Sequence, residues 1–317
     1  MHQAVIAIHG GAGAISRAAM SPGQEAEYTV ALEDILRAGR RVLADGGSAL
    51  DAVTEAVRRL EDCPLFNAGK GAVLTHAGTF ELDAAVMDGA TRMAGAVACV
   101  HRLRNPILAA RAVMGHSEHV LLAGDGAEAF AAAQGLELVD PSYFHTEARH
   151  EQWQRAMAGG TGMLLLDHDA AAQAPLDPDH KHGTVGAVAL DRAGRLAAAT
   201  STGGVTNKLP GRVGDSPLIG AGCFADDIVA VSTTGTGEMF IRAVAAYDVS
   251  ARMRYAGQTL AEATACVVTE SIPALGGRGG LIAVDRLGNV ALPFNTEGMY
   301  RGVARVGEGS MTVAIHG

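Results

Sequence analysis

Apolar and polar positions follow two periodicities along this chain, and together they predict alternating strands and helices. Continuous apolar runs at 4–8 and 185–190 have strand length and are typical of strands buried on both faces. The first run leads into a predicted glycine turn at 9–13, and Ser48 and Asn105 are predicted to cap two helices. The same patterns predict further strands at 79–87, 95–101, 119–122, 196–200, 280–284 and 289–292, and helices at 25–43, from 49, from 106, and at 124–134, 238–251 and 260–271.

Two strand–turn–strand units, at 185–200 and 280–292, share an Asp-Arg-x-Gly turn. Helical segments lie between these units in the chain. Strands that flank a helical pair indicate two sheets with helices on their outer faces. We therefore expect one α/β domain, folded as a four-layer αββα sandwich.

The periodicity is lost from about 137 to 183, where the sequence is polar and contains Pro, Asp and His residues. Such a composition resists burial, so a flexible linker with one or two helical turns around 151–157 is predicted. His180, Lys181 and His182 near its end are interpreted as exposed linker rather than as a metal-binding tract.

Composition and charge exclude several classes of function. The net charge of −9 without a dense Lys/Arg stripe argues against a nucleic-acid partner, and no apolar run approaches the roughly 20 residues of a membrane span. The four cysteines form no C-x-x-C pair, which favours buried free thiols over a zinc cluster. The first residues lack the features of a secretion signal, so we expect a cytoplasmic protein. The glycine turn at 9–13 lacks the lysine of a P-loop and is only weak support for nucleotide binding.

Thr184 begins a buried strand directly after the linker, and its hydroxyl is a candidate nucleophile. Threonine alone is simply a good strand former, but cutting the Gly183–Thr184 bond would place a free α-amine beside the hydroxyl of the same residue. The amine has an unperturbed pKa of about 7.7 to 8.0, which suits a general base near neutral pH. Gly183 would allow the strained backbone that attack on the preceding carbonyl needs.

Several segments together resemble the plant-type (type 2) L-asparaginases and isoaspartyl peptidases, which are N-terminal nucleophile hydrolases. They are 9–13 (HGGAG), 66–69 (FNAG), 183–189 (GTVGAVA), 200–217 (TSTGGVTNKLPGRVGDSP) and 233–238 (TTGTGE). The resemblance spans nearly the whole chain, and the linker is its least similar part. It implies self-cleavage into an α subunit, 1–183, and a β subunit, 184–317, which together form one domain.

Arg212 and Asp215 stand three residues apart in the longest of these segments. The planar guanidinium suits a substrate carboxylate and the carboxylate suits an α-ammonium, so the pair would hold the zwitterionic end of an aspartyl group. An exposed ion pair is the alternative interpretation. Thr234 and Gly235 precede a predicted helix, where free backbone N–H groups favour an oxyanion hole, with a plain glycine-rich turn as the alternative.

The resemblance implies a role for each matching residue. Catalysis would use Thr184, Thr202, Thr234, Gly235 and Asn67, and self-cleavage would separate Gly183 from Thr184. Substrate would contact Arg212, Val213, Gly214, Asp215, Thr234, Gly235, Thr236 and Gly237. No organic cofactor is expected, and a structural sodium ion would be held by the backbone carbonyls of Leu60, Glu61, Cys63, Phe66, Ala68 and Lys70.

The implied activity is hydrolysis of L-asparagine and of β-aspartyl (isoaspartyl) dipeptides through a β-aspartyl ester on Thr184. The implied assembly is a homodimer of cleaved protomers. A glycosylasparaginase is the nearest alternative, but its cleavage motif usually carries Asp where Gly183 stands. A threonine aspartase acting on proteins is another alternative, against which the lack of an extra recognition domain argues. A non-catalytic binding protein of the same fold is the third, and it would keep one intact chain.

Overall fold

Two β-sheets face each other in the computed structural model, which describes residues 2–15, 20–158 and 183–317. The strands of these residues are β1 (Val5–Gly13), β2 (Leu82–Asp88), β3 (Ala94–Val100), β4 (Leu121–Ala123), β5 (Val185–Leu190), β6 (Leu196–Thr202), β7 (Cys223–Ala225), β8 (Val229–Gly235), β9 (Gly279–Asp285), β10 (Val290–Ala291), β11 (Gly298–Arg305) and β12 (Met311–His316). The large sheet has the order β12-β11-β1-β5-β6-β2-β3-β4, and the small sheet has the order β10-β9-β8-β7. β5 and β6 therefore form a hairpin at the centre of the large sheet.

Helices cover the outer face of each sheet. In the described residues the α-helices of seven or more residues are α1 (Pro22–Ala44), α2 (Ala49–Asp62), α3 (Pro106–His116), α4 (Gly124–Ala133), α5 (Glu147–Ala158), α6 (Gly237–Ala243), α7 (Ala245–Tyr255) and α8 (Leu260–Cys266). The first four of these helices pack on the large sheet, and the last three pack on the small sheet. One apolar core lies between the large sheet and its helices. A second core fills the space between the two sheets and extends to the helices on the small sheet. The four-layer αββα sandwich predicted from the sequence is confirmed.

β1 shows how one strand serves two cores. Ile6 and Ile8 pack beneath the helices of the large sheet, whereas Val5 and Ala7 pack between the two sheets. Successive side chains of a strand point to opposite faces, so a strand covered on both faces needs a continuous apolar run. The same requirement explains the uninterrupted apolar sequence of β5.

The glycines after Ile8 lie within β1, and the turn predicted at 9–13 was wrong. The pairing of β1 with β11 shifts register between His9 and Gly11, and Gly11 has a φ of 109°. A Cβ on Gly10 would stand 2.4 Å from the Phe66 ring. These glycines therefore let a bulged strand pack closely, which is a structural use for the segment in place of a phosphate-binding turn.

Side chains cap the helices, although not always the ones predicted. Ser48 accepts a hydrogen bond from the backbone N–H of Asp51 and caps α2, as expected. Asn105 makes no cap hydrogen bond at the start of α3. The carboxyl group of Glu61 takes its place and accepts the backbone N–H of Ile107 at 2.9 Å. Asn105 and Pro106 do occupy the predicted N-cap and first-turn positions. The Asn105 side chain makes no cap hydrogen bond because a carboxyl group distant in sequence satisfies the helix end instead.

Residues 141–158 are folded, whereas the sequence predicted a flexible linker from about 137; the helical turns predicted around 151–157 are confirmed as part of α5. A 3₁₀-helix at Pro141–Phe144 precedes α5, and the ring of Phe144 is fully buried against Phe80. The indole N–H of Trp153, on α5, donates to the carbonyl of Thr75 at 2.9 Å. A few large aromatic anchors thus hold a mainly polar segment, which composition alone did not reveal. The rest of the predicted linker, including His180, Lys181 and His182, lies outside the described residues.

The helix predicted at 238–251 is two helices, because Val244 adopts a left-handed conformation with φ of 49° between α6 and α7. The helix predicted at 260–271 passes from α8 into a π-helical turn at Val267–Ser271. Of the four thiols, all of them free, only that of Cys223 is fully buried, so the expectation of buried thiols holds for one. Within the described part of the chain, no helix combines the length and apolar character that crossing a membrane requires.

Candidate active site

Two threonine hydroxyls meet where the central hairpin ends. Thr184 immediately precedes β5, and Thr202 is the last residue of β6, whose pairing places Val185 opposite Ser201. The Thr184 hydroxyl donates to Thr202 Oγ1 at 3.1 Å, and both side chains are buried. The backbone N–H of Gly204 also donates to Thr202 Oγ1, at 2.9 Å. Thr202 thus receives two hydrogen bonds and keeps its own hydroxyl proton available to a neighbour.

Asn67 holds the turn that follows β6 and packs against the residue before Thr184. Its side-chain amide donates to the carbonyl of Gly204 at 2.7 Å, and its Oδ1 accepts the backbone N–H of Val73 at 3.0 Å. A Cβ on Gly183 would stand 2.4 Å from the Cβ of Asn67. Glycine is therefore the residue that this position accommodates without moving Asn67.

The end of β8 approaches the hairpin from the facing sheet. Thr234 Oγ1 accepts the backbone N–H of Ala12 at 3.3 Å, which leaves the hydroxyl proton of Thr234 free to donate. Gly235 has a φ of 152°, and a Cβ there would stand 2.3 Å from the carbonyl oxygen of Arg278. The hydroxyl of Thr236 donates to that same carbonyl, so it is already engaged. Of these residues, Gly235 lines the cavity that Thr184 and Thr202 share.

Arg212 and Asp215 line this cavity too, but they do not form the ion pair considered from the sequence. Arg212 pairs with Glu238, whose Oε1 lies 2.9 Å from its Nε. Asp215 Oδ2 instead accepts the hydroxyl of Thr233 at 2.6 Å. A Cβ on Gly237 would stand 2.9 Å from Asp215 Oδ1 and 3.0 Å from Arg212 Nη2. A cation and an anion therefore face one small cavity separately, as the binding of a zwitterion requires.

The remaining residues predicted to bind substrate lie beside these two. The main chain at Gly214 passes under the Arg212 guanidinium, since a Cβ there would stand 2.8 Å from its Nη1. Val213 is partly buried. Neither is in the cavity wall, and Asn67, Thr234, Thr236 and Gly237 are also outside it.

Burial raises the pKa of Asp215 from its ordinary value of 3.8 to about 6, against the opposing effects of the Thr233 hydroxyl and the Arg212 charge. Asp215 as a whole is 3% exposed, so loss of hydration is the main cause. At neutral pH the group is still ionised. It can therefore accept an ammonium, at a cost in stability.

Asp215→Asn is expected to stabilise the fold at pH 7.5. A carboxyl whose pKa is higher in the folded protein than in the unfolded chain opposes folding once both forms are ionised, above about pH 6. Asparagine cannot ionise, so urea denaturation of the uncut Thr184→Ala protein, with and without Asp215→Asn, should show a gain on the order of 3 kcal/mol at pH 7.5 that disappears below about pH 4. The exposed Asp45→Asn is the control. A gain of the same size at pH 4 and pH 7.5 would contradict this origin.

The cavity also contains residues that the sequence did not single out. Gly204, Val205 and Ser216 complete its wall. The Lys208 ammonium lies behind Gly204, because a Cβ on that glycine would stand 2.8 Å from Nζ, and it donates to the carbonyl of Glu81 at 2.8 Å. Gly204 and Lys208 both stand in the long segment at 200–217, but nothing in their residue type indicated these contacts.

A buried polar chain lies beneath β5. His9 Nε2 is 2.9 Å from Ser232 Oγ, which is 2.7 Å from Thr200 Oγ1, and the Thr200 hydroxyl donates to the carbonyl of Gly222. Burial lowers the pKa of His9 to about 3, so its ring is neutral. A Cβ on Gly186 would stand 2.0 Å from Ser232 Oγ. Glycine in the second place after Thr184 therefore makes room for this chain.

The loop predicted to bind sodium runs from the end of α2 to a 3₁₀ turn at Gly69–Gly71. Its carbonyls crowd around two glycines. A Cβ on Gly69, whose φ is 52°, would stand 2.4 Å from the carbonyl oxygen of Glu61, and a Cβ on Gly71 would stand 2.1 Å from that of Phe66. Side-chain clusters of His, Cys, Asp or Glu that could hold a metal are absent from the described part of the chain.

Comparison with known proteins extends over nearly the whole chain. A family model described as "Asparaginase" matches residues 2–314. An isoaspartyl peptidase of Escherichia coli (strain K12) is 63% identical over 309 residues, covering 97% of this chain and 95% of the relative. A putative isoaspartyl peptidase/L-asparaginase of Dictyostelium discoideum is 51% identical, covering 95% and 93%. A plant-type L-asparaginase of Pyrococcus abyssi is 41% identical, covering 93% and 94%. The chain belongs to the asparaginase family represented by that model (Asparaginase_2).

Proposed function

We propose that this chain cuts its own Gly183–Thr184 bond and then hydrolyses β-aspartyl dipeptides and L-asparagine with Thr184 as the nucleophile. The observation that carries the proposal is the Thr184–Thr202 hydroxyl pair in a cavity that Arg212 and Asp215 also line. The names of the relatives, isoaspartyl peptidase and L-asparaginase, support the substrate class.

Self-cleavage begins when Thr184 Oγ attacks the carbonyl carbon of Gly183. The hydroxyl proton passes to Thr184 N as the peptide C–N bond breaks, so an ester replaces the amide. Water then hydrolyses this ester and releases the Gly183 carboxylate. Thr184 keeps its hydroxyl and gains a free α-amine, which is the base–nucleophile combination that activates a threonine.

Substrate hydrolysis uses the same atoms. The α-amine accepts the hydroxyl proton as Thr184 Oγ attacks the β-carbonyl of the substrate, and the same proton then goes to the leaving amine. The hydroxyl of Thr234 and the N–H of Gly235 stabilise the oxyanion, which is consistent with the free hydroxyl proton of Thr234. Water, deprotonated by the α-amine, cleaves the β-aspartyl ester and releases aspartate.

Arg212 and Asp215 orient the aspartyl group for this attack. The guanidinium binds the α-carboxylate and the Asp215 carboxylate binds the α-ammonium, so the β-carbonyl points toward Thr184. Glu238 neutralises Arg212 before substrate arrives, which limits the cost of keeping a buried cation there.

Intact mass spectrometry of the purified protein, followed by N-terminal sequencing and assays of aspartate release, tests the proposal. We expect two fragments, the smaller beginning Thr-Val-Gly, and aspartate released from both a β-aspartyl dipeptide and asparagine. A chain that stays whole through prolonged incubation, or a cut protein that releases aspartate from neither substrate, would refute it.

Two further parts of the proposal concern a cation and assembly. The carbonyls of Leu60, Glu61, Cys63, Phe66, Ala68 and Lys70 would hold a structural sodium ion. Hard oxygen donors suit such an ion, and the crowding of carbonyls around Gly69 and Gly71 supports the choice. The ion would fix the loop that carries Asn67.

We also propose a homodimer of cleaved protomers and a cytoplasmic location.

A further inference from the structure

A second cavity, of about 290 Å³, lies on the other side of the bond to be cut. Gly183 and Asn67 form part of its wall, whereas Thr184 lines the cavity of Arg212 and Asp215. The Gly183–Thr184 bond therefore separates two cavities. The proposed function uses one of them and leaves the other without a ligand.

Arg149 on α5 supplies a positive charge to the wall of this second cavity. Its Nε donates to the carbonyl of Gly71 at 2.8 Å, and its Nη1 donates to Gln152 Oε1 at 3.0 Å. Both acceptors are neutral, and in the uncut chain no carboxylate of the described residues lies within 4 Å of the guanidinium. Glu151, the acidic residue of the same wall, is on the solvent side and lies 4.0 Å from Arg155.

The start of α5 beside Arg149 also suits an anion. The rings of Tyr28 and Tyr300 stack at 4.4 Å in the same wall, and α5 begins there with Thr146 and Ala148 facing the cavity. Thr146 accepts the backbone N–H of Arg149, so the start of the helix points its positive end toward this space. A partly buried cation without an anionic partner raises the free energy of the folded protein, and a bound anion would reduce this cost.

The chemistry of the proposed function decides which part of the substrate reaches this cavity. The leaving nitrogen must lie within hydrogen-bond reach of the group that protonates it, which is the Thr184 α-amine. Before cleavage, the Thr184 nitrogen is bonded to Gly183, which lines the second cavity. Arg212 and Asp215 hold the aspartyl half in the first cavity, so the leaving half extends into the space beside Gly183.

We propose that the second cavity is the leaving-group subsite, and that Arg149 binds the free α-carboxylate of the amino acid released from a β-aspartyl dipeptide. This inference rests on the proposed function and deepens it. Ammonia, the leaving group from asparagine, has no carboxylate to reach Arg149. The residue is thus a determinant of preference for dipeptides over asparagine.

The test compares β-Asp-Leu, its C-terminal amide and asparagine as substrates of the full, self-cleaved protein. We expect Arg149→Met to lower the ratio of kcat/KM for β-Asp-Leu to that for asparagine by about 10- to 100-fold, the loss typical of a charge-assisted hydrogen bond. The ratio for β-Asp-Leu amide to asparagine should change less than about 3-fold, because the amide carries no charge for Arg149 to bind. Arg149→Lys should restore part of the first ratio, and the exposed Arg37→Met is the control for an arginine elsewhere.

Equal losses on all three substrates would mean that Arg149 only supports the fold, and an unchanged ratio would remove it from the subsite. Arg149→Met also removes the hydrogen bond to the carbonyl of Gly71 and can thereby prevent self-cleavage. The wild-type protein therefore provides an independent test. L-leucine should inhibit asparagine hydrolysis at least about tenfold more strongly than leucinamide does, and equal inhibition by the two would overturn the proposal. Absence of any aspartate release by the wild type would instead refute the proposed function itself.

Discussion

Thr184→Ala is expected to leave the protein as one uncut chain and to lower kcat for β-aspartyl dipeptides and asparagine at least about 10³-fold. The substitution removes the hydroxyl that attacks Gly183, so the peptide bond persists. The α-amine that would serve as base then stays locked in an amide. Nucleophile and base are lost together, because one residue supplies both.

Intact mass spectrometry and aspartate release measure this outcome. Thr184→Ser is the matched variant, since it keeps a hydroxyl and should still cut, with altered rate. Thr29→Ala, which removes a hydroxyl that bonds to the carbonyl of Glu25 within α1, should cut and turn over normally. A processed and active Thr184→Ala protein would exclude the mechanism.

Arg212→Ala is expected to lower kcat/KM for both substrates about 10²- to 10³-fold, chiefly through KM. The guanidinium is 16% exposed, so the ion pair with a substrate carboxylate forms away from water, and removing one partner of such a pair typically costs about 2–5 kcal/mol. The substitution also leaves Glu238 without its cation, and this second negative charge would repel the same carboxylate.

Steady-state kinetics on β-Asp-Leu and asparagine measure the effect of Arg212→Ala. The double variant Arg212→Ala/Glu238→Gln separates its two causes, because it lacks the repelling charge and should recover part of the loss in KM. Self-cleavage should proceed in both variants, since the peptide bond to be cut carries no free carboxylate. Unchanged kinetics in Arg212→Ala would remove the residue from the substrate site.

Periodicity predicted most of the fold because both sheets and their helices follow simple patterns. The apolar run of β5 and the Asp-Arg-x-Gly turn after it indicate a hairpin in a buried sheet, and the structure places β5 and β6 at the centre of the large sheet. The candidate site was predicted chiefly from resemblance to a known family and not from periodicity. Thr184 was indicated by its place at the start of a buried strand and by resemblance, and Thr202, Arg212, Asp215 and Gly235 by resemblance. The structure brings all five to one cavity.

Contacts between residues distant in sequence could not be predicted from local sequence patterns. Glu61 caps α3 across 46 positions, and no local pattern at Asn105 shows that its expected place is taken. Residues 141–158 appeared to be linker because a polar helix held by Phe144 and Trp153 has the composition of one. Arg149 escaped notice for the same reason, since it stands within that segment.

The strand order of the large sheet sets the fate of the two proposed fragments. β1, β2, β3 and β4 precede Gly183, and β5, β6, β11 and β12 follow it, yet the order is β12-β11-β1-β5-β6-β2-β3-β4. Strands of the two fragments therefore interleave, with β1 hydrogen-bonded on both sides by strands of the other fragment. Neither fragment contains the complete large sheet, although the second fragment contains all four strands of the small one. The cut consequently changes unfolding from a reaction of one chain into one that separates two chains. The chain folds once as a single molecule, but after unfolding the two fragments would have to find each other in solution, so recovery would depend on their concentration.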